Sequence, residues 1–215
     1  MDTTRNDRLT PLILFAFAAC LYLASLFTMG QSSVAVYTVR NILSIVPYVL
    51  LVIHGILNYK GKTKAFFNVY FILASVKTVF SILTFFYSIY RISFLASFSN
   101  AIPQYLTQGA FNTLRLVCYI IILVQHHKNS TRRILSRISL IILVVVNMFY
   151  GYVLTYVYAI SNNPSYLAEV FTSEFLFNSL LSSILPNLAY ILAMVGCLIY
   201  IANEAMANQT LQKES

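Results

Sequence analysis

A chain of 215 residues that is 59% hydrophobic and only 9% charged is not the composition of a soluble domain, which is about 45–50% apolar and about 25% charged. The net charge of +8 does not indicate a nucleic-acid partner, because the basic residues lie mainly in short stretches between apolar segments. The composition instead predicts an integral membrane protein whose principal partner is the lipid bilayer.

Six apolar segments are each long enough to cross a bilayer as a helix, which takes about 20 residues. They are continuous rather than alternating, which excludes a membrane β-barrel. Lipid offers no partner for open backbone, so each segment is expected to be helical. The sequence predicts an all-α, multi-pass bundle forming one transmembrane domain over residues 1–215. Its spans are 12–29, 36–58, 65–90, 104–126, 138–160 and 175–203, followed by a polar tail at 204–215.

The first span is expected to begin at Thr10-Pro11, a pair typical of an N-cap and a first helical residue, and to remain uncleaved. Small residues recur at three- and four-residue intervals on spans 1 and 6, a spacing that lets membrane helices approach closely. These residues are predicted to pack against another helix of the chain or against a partner membrane subunit: Ala16, Cys20, Ala24, Ala189, Ala193 and Gly196.

Basic residues predict the orientation of the bundle. They cluster in both tails and in the second and fourth loops, for example at Lys60, Lys64, Lys128 and Arg132. The positive-inside rule then places both termini in the cytoplasm. Short loops, with no glycosylation sequon on the predicted outer side, favour the cytoplasmic membrane of a bacterium. The segment 92–102 is too short to span and is expected to be interfacial or re-entrant, with Pro103 opening span 4.

Two cations, Lys77 and Arg115, lie near the middle of predicted spans 3 and 4. Lys77 is 13 residues from Lys64, about 20 Å along a helix, and is too deep for its side chain to reach water easily. A central cation costs at least about 2.5–3.5 kcal/mol, and the predicted spans contain no carboxylate to pair with it. The sequence therefore predicts a partner of another kind for both cations.

Polar residues at helical spacing flank both cations, so the stripes are expected to face each other or a wet cavity. One hypothesis is an outward-facing pocket for a small anionic ligand, closed by Glu169 or Glu174 when no ligand is bound. The alternative is that Tyr, Asn and Gln oxygens and a few waters satisfy both cations. Separately, Asn147, Tyr150 and Gly151 on span 5 are interpreted as contacts between helices rather than as catalytic residues. The candidate ligand-binding residues are Lys77, Ser81, Thr84, Gln108, Asn112, Arg115 and Tyr119.

Catalytic and cofactor signatures are missing from the sequence. The three cysteines Cys20, Cys118 and Cys197 lie inside spans without metal-ligand spacing and are interpreted as reduced packing residues. A haem between His54 and His126 is not favoured, because both histidines lie at the inner ends of their predicted spans, whereas the paired histidine ligands of membrane cytochromes usually lie deeper. There are no paired carboxylates in the membrane and no Gly-rich phosphate loop. We therefore expect no enzyme activity, no metal and no cofactor.

In general layout the chain resembles the substrate-binding subunits of energy-coupling factor vitamin transporters, which are similar in size, have six helices and dock a partner through small residues on helix 1. The small residues Ala16, Cys20 and Ala24 carry this resemblance. They depart from the alanine pattern of that family at the central residue, Cys20. The layout also resembles small permease subunits of export-type ABC transporters. Both resemblances imply a partner membrane subunit or ATPase module.

Two classes of function therefore stand. The first is a transport-associated substrate-binding or permease subunit for a small anionic solute. The second is a non-transporting membrane interaction protein, such as a sensor, an immunity factor or an assembly factor. Solute uptake by the purified protein, or its protection by a bound ligand, would distinguish the two classes of function.

Overall fold

The chain forms six helices and no strands in the part that its computed structural model describes, residues 3–28, 35–61, 65–92, 98–127, 133–162 and 173–214. This confirms the predicted all-α bundle. The helices are α1 (Thr3–Thr28), α2 (Ala35–Tyr59), α3 (Ala65–Ile92), α4 (Phe98–His127), α5 (Ile134–Asn162) and α6 (Ser173–Glu214).

Five of the described helices contain apolar segments long enough to cross a membrane: Asp7–Ser25, Phe66–Tyr90, Ile102–His126, Ile134–Gly151 and Ile184–Met206. In α2 the described apolar segment, Ser44–Tyr59, is shorter, although the whole helix has 25 residues and is about 38 Å long. Large apolar side chains also cover the outside of the bundle; Phe80, for example, is 64% exposed. Lipid solvates such a surface where water would not, so the fold is that of a multi-pass membrane protein.

The helices form a closed ring in sequence order. Each helix packs against the next one along the chain, and α1 packs against α6 to close the ring. The core inside the ring is unusually aromatic, with Phe67, Phe71, Tyr70 and Tyr119 all buried. The ring order decides which polar side chains can meet, because each helix has two main neighbours.

Close contact between α1 and its two neighbours depends on glycine. A Cβ added to Gly196 on α6 would lie 2.6 Å from Cε1 of Phe15, and one added to Gly55 on α2 would lie 3.1 Å from Cα of Leu12. Neither position therefore has room for a larger residue without movement of α1. The fully buried Phe15 ring occupies the space that the two glycines leave.

The predicted start of α1 at Thr10-Pro11 is wrong, because the helix begins at Thr3 and Pro11 lies inside it. A proline in a helix leaves the carbonyl four residues earlier without its usual donor. That carbonyl belongs to Asp7, and it accepts a hydrogen bond of 2.6 Å from Nδ2 of Asn203 on α6. This contact with the neighbouring helix α6 supplies the bond that Pro11 removes, which lets α1 continue through the proline.

The start of α4 also differs from its prediction. The helix begins at Phe98, so Pro103 lies in its second turn and does not open it. Part of the segment expected to be interfacial or re-entrant is therefore helical, while residues 93–97 lie outside the described part of the chain. At the other end of the bundle, α2 ends in a turn in which Gly61 adopts a φ of +71°, a conformation that favours glycine.

Candidate functional site

Arg115 is placed on α4, facing α5, about halfway along the apolar segment Ile102–His126. Its Nη1 lies 3.5 Å from Oδ1 of Asn112, one turn earlier on the same helix. Its Nη2 lies 3.4 Å from Oδ1 of Asn147 on α5. The guanidinium carbon stands 4.4 Å from the ring centre of Tyr150. Arg115 is therefore held by two amides and one aromatic face.

Further neutral polar groups connect this site to α6. Asn147 uses its Nδ2 to donate a hydrogen bond of 3.1 Å to Oδ1 of Asn187. The hydroxyls of Tyr119 on α4 and Tyr190 on α6 are hydrogen-bonded to each other at 3.0 Å, and both lie within electrostatic range of Arg115. Gln108 of α4 is hydrogen-bonded through its side chain to Tyr150. We call this set the Arg115 network; its members are Gln108, Asn112, Arg115, Tyr119, Asn147, Tyr150, Asn187 and Tyr190.

The charge of Arg115 is not balanced within the described part of the chain, where its hydrogen-bond partners are neutral amides. Both bonds are longer than the 2.7–3.2 Å of a normal N–H···O bond, so each is weak. A guanidinium does not lose its proton in proteins, and a ring face returns only about 0.5–2 kcal/mol. The arrangement can therefore accept an anion that would replace the weak bonds to the amides.

Lys77 is placed apart from this network. It lies on α3, and its Nζ is 3.4 Å from Oγ of Ser44 on α2. Ser81 and Thr84 donate to backbone carbonyls four residues earlier on α3 itself, so their hydroxyls do not need a wet cavity. The structure thus divides the seven candidate ligand-binding residues into a group on α4, which joins α5 and α6, and a group on α3, which contacts α2.

The acids predicted to close the pocket cannot be located relative to Arg115. Glu169 lies outside the described residues, and for Glu174 only the helical backbone is described. Their role stays a prediction.

A second polar cluster lies at the end of the bundle where α4 finishes and α5 begins, which we call the basic end. Arg133 precedes α5, and its Nη1 forms an ion pair with Oε2 of Glu204 on α6. Nε2 of His126, on α4, lies 3.5 Å from the same oxygen. The side chain of Arg133 is 0% exposed and that of Glu204 11% exposed. Removing one partner from such a buried pair typically costs about 3–5 kcal/mol.

Aromatic rings surround this cluster. His54 on α2 is fully buried, and its ring lies edge-on to Tyr200 with 4.6 Å between centroids. Phe67 on α3 packs against both His54 and His126, at 5.5 and 4.8 Å. Both imidazoles are therefore packed against the same phenyl ring.

This cluster was not predicted, because Glu204 falls in the predicted polar tail at 204–215 and Arg133 in the predicted fourth loop. A signal for Glu204 was present. The buried face of α6 runs through Ala193, Cys197 and Tyr200, and the same three- and four-residue spacing reaches Glu204 next. For the Arg115 network, the missed signal was Asn187, an amide one residue after Pro186 near the middle of a predicted span.

The predicted helix-packing residues fall on two kinds of surface. Ala189, Ala193 and Gly196 are buried on α6. On α1, Ala16 is half-buried, whereas Cys20 and Ala24 are exposed on the outside of the bundle. Contact between α1 and α6 runs through Phe15 and Gly196 instead. The stripe on α1 is therefore largely turned away from the core.

We found no match to the chain among models of known protein families, curated protein sequences or solved structures. The fold and the site place the chain in a broad class, that of multi-pass helical membrane proteins with polar side chains buried in the bundle. The resemblance to vitamin-transporter subunits rests on layout and on the stripe of α1 alone.

Proposed function

We propose that the protein is a transport-associated membrane subunit that binds a small anionic solute beside Arg115. The observation that carries this proposal is the mismatch between a permanent charge within a membrane-spanning segment and its neutral, distant partners, Asn112 and Asn147. A solute carboxylate would replace two bonds of 3.4–3.5 Å with shorter, charge-assisted bonds of about 2.7–2.9 Å.

The neighbouring hydroxyls support a carboxylate ligand. Tyr119 and Tyr190 are bonded to each other, so one of the two protons is already shared between them, and the other can be donated to an incoming oxygen. The ring of Tyr150 lies 4.4 Å from the guanidinium carbon and shields that side of the group, which leaves the N–H groups on its other sides for recognition of a small anion. The ligand class is therefore a small carboxylate rather than a bulky polyanion.

Binding to the purified chain in an uncharged detergent tests the proposal. Melting temperatures would be compared in acetate, succinate and citrate against chloride at equal ionic strength. At least one carboxylate should raise the melting temperature of the natural chain, because a ligand that binds only the folded state stabilises it. Arg115→Lys keeps the charge without the two-pronged geometry, and Arg115→Met removes both, so each should lose the rise.

A matched control is Arg8→Met, since Arg8 is an exposed arginine on α1 and should leave the carboxylate effect intact. If no carboxylate raises the melting temperature, and Arg115→Met melts below the natural chain, Arg115 is a structural residue and the proposal is wrong. Uptake into proteoliposomes would then distinguish binding alone from transport.

The second candidate function is a non-transporting interaction protein. The exposed positions of Cys20 and Ala24 on α1 favour it, because small side chains on a lipid-facing surface leave room for a partner helix. Ala24→Leu should then abolish assembly with that partner while leaving carboxylate binding unchanged. A chain that neither binds carboxylates nor depends on Ala24 would contradict both candidates.

A further inference from the structure

Arg133 uses only one side of its guanidinium in the ion pair at the basic end. Nη1 faces Glu204, whereas Nε and Nη2 are buried and without a hydrogen-bond partner. Nε and Nη2 form the edge with which an arginine grips two oxygens of one oxyanion at once. The side chain is completely shielded from solvent, so water at the surface does not satisfy this edge.

A second arginine contributes to the same region. The backbone N–H of Arg137 donates to the carbonyl of Arg133 at 3.2 Å, which places the two residues one turn apart at the N-terminus of α5. Nε of Arg137 is also buried and without a hydrogen-bond partner. Gln125 of α4 accepts from Ser136 N and Oγ at this helix start, so its side-chain oxygen is already engaged and does not serve the unpartnered N–H groups of the two arginines.

Charge at the basic end is unequal. Arg133 pairs with the one carboxylate described at this end, that of Glu204, and Arg137 adds a second positive charge on the next turn. The ring nitrogens of His126 are also buried and without a hydrogen-bond partner, and a neutral imidazole offers one donor and one acceptor. The backbone of Arg133 has a φ of +35°, in a region that residues other than glycine rarely adopt, and it accompanies the inward position of the side chain. Donors exceed acceptors here, which is the composition of an anion site rather than of a closed ion pair.

We propose that Arg133 and Arg137 bind a phosphate group at the basic end of the bundle. A phosphate suits the site better than a carboxylate because it offers three or more oxygens to three separate N–H donors. The N-terminus of α5 adds the positive end of a helix dipole. This site is distinct from the one beside Arg115, since it lies at the end of the helices. The phosphate belongs either to a free solute or to a phospholipid headgroup, because the site lies where the apolar segment of α5 begins.

The test compares the full-length chain in uncharged detergent with sodium phosphate and with sodium chloride at equal ionic strength. Phosphate should raise the melting temperature of the natural chain. Arg133→Lys, which keeps a charge opposite Glu204 but lacks the Nε–Nη2 edge, should lose that rise. The same change at an exposed arginine, Arg8→Lys, should keep it.

If Arg133→Lys does not fold, Arg137→Lys and Glu204→Gln provide the answer. Arg137→Lys should weaken the phosphate effect, and Glu204→Gln should preserve or enlarge it, because it removes the competing carboxylate. A loss of the phosphate effect in Glu204→Gln would indicate that the ion pair itself is what phosphate stabilises, and would overturn the proposal.

Native mass spectrometry separates the two sources of phosphate. Retention of phosphatidylglycerol by the natural chain but not by Arg133→Lys, without any effect of free phosphate, would assign the site to a lipid headgroup. A rise in melting temperature with free phosphate would assign it to a soluble ligand. If neither free phosphate nor phosphatidylglycerol distinguishes the natural chain from Arg133→Lys, the arginines bind no phosphate.

Discussion

Replacing Gly196 with alanine places a methyl group where the ring of Phe15 already lies. The added Cβ would stand 2.6 Å from Cε1 and 2.9 Å from Cδ1 of that ring, and 3.4 Å from Cβ of Leu14. Carbon atoms in contact are normally about 3.5–4.0 Å apart, so the ring must move by about 1 Å. Phe15 has little freedom to do so, because it is 1% exposed and also lies beside Gly55 and His54.

The expected cost follows from two opposing effects. Overpacking a tight core typically costs about 1–3 kcal/mol. Exchanging glycine for alanine inside a helix returns about 0.5–1 kcal/mol. Gly196→Ala should therefore lower the free energy of unfolding by about 1 kcal/mol and by at most about 2.5 kcal/mol; a change of about 1 kcal/mol is a factor of roughly 5 in the ratio of folded to unfolded protein.

Titration with sodium dodecyl sulfate in mixed micelles measures this difference. The chain has 16 tyrosines and no tryptophan, so near-ultraviolet circular dichroism of the tyrosines is the appropriate signal for tertiary structure. Gly151→Ala is the matched control, because a Cβ there meets nothing within 4 Å, and it should be neutral or slightly stabilising. If Gly196→Ala unfolds at the same detergent fraction as Gly151→Ala, then α1 does not pack against α6 as described.

Three further predictions concern other parts of the bundle. Asn203→Ala should destabilise the protein by about 0.5–1.5 kcal/mol. The cost should be smaller in the Pro11→Ala background, where the Asp7 carbonyl regains a backbone donor, and equal costs in both backgrounds would show that Asn203 does not replace that donor. Lys77→Met should melt at the same or a higher temperature, because it removes a charge from the membrane, so a clearly lower melting temperature would show that Lys77 is structurally required. A membrane-impermeant thiol reagent added outside should modify a cysteine at Asn162 but not one at Lys128, and the reverse pattern would invert the predicted orientation.

Helix number and type followed from hydropathy, because a continuous apolar run in lipid has no alternative to a helix. The starts of α1 and α4 did not follow, since the rules for proline are local, whereas α2 and α3 begin within one residue of their predicted starts. Pro11 is accommodated inside α1 by Asn203, which is 192 residues away in the sequence. No single predicted span contains both Pro11 and Asn203, so a rule applied to one span does not predict this hydrogen bond.

The candidate site was likewise predictable only in part. That Arg115 needs a partner was predictable from its depth, whereas the identity of that partner depended on which helices are neighbours. The ring order gives Arg115 the amide of Asn147 and gives Lys77 the hydroxyl of Ser44. For Glu204, a residue-by-residue count of polarity placed it in a tail, although its spacing on α6 continues the buried face.

The contact between α1 and α6 has a consequence for how the protein is made. Phe15 and Gly196 are 181 residues apart, so at about 5–20 residues per second the ribosome needs roughly 10–40 s to deliver the second after the first. During that time α1 can pack only against α2, through Gly55. Asn203 and Glu204 emerge only after Gly196, so the proline cap and the buried ion pair form together with the closure of the ring. Biogenesis therefore ends in one late step, and until then the side of α1 that contacts α6 has no partner within the chain.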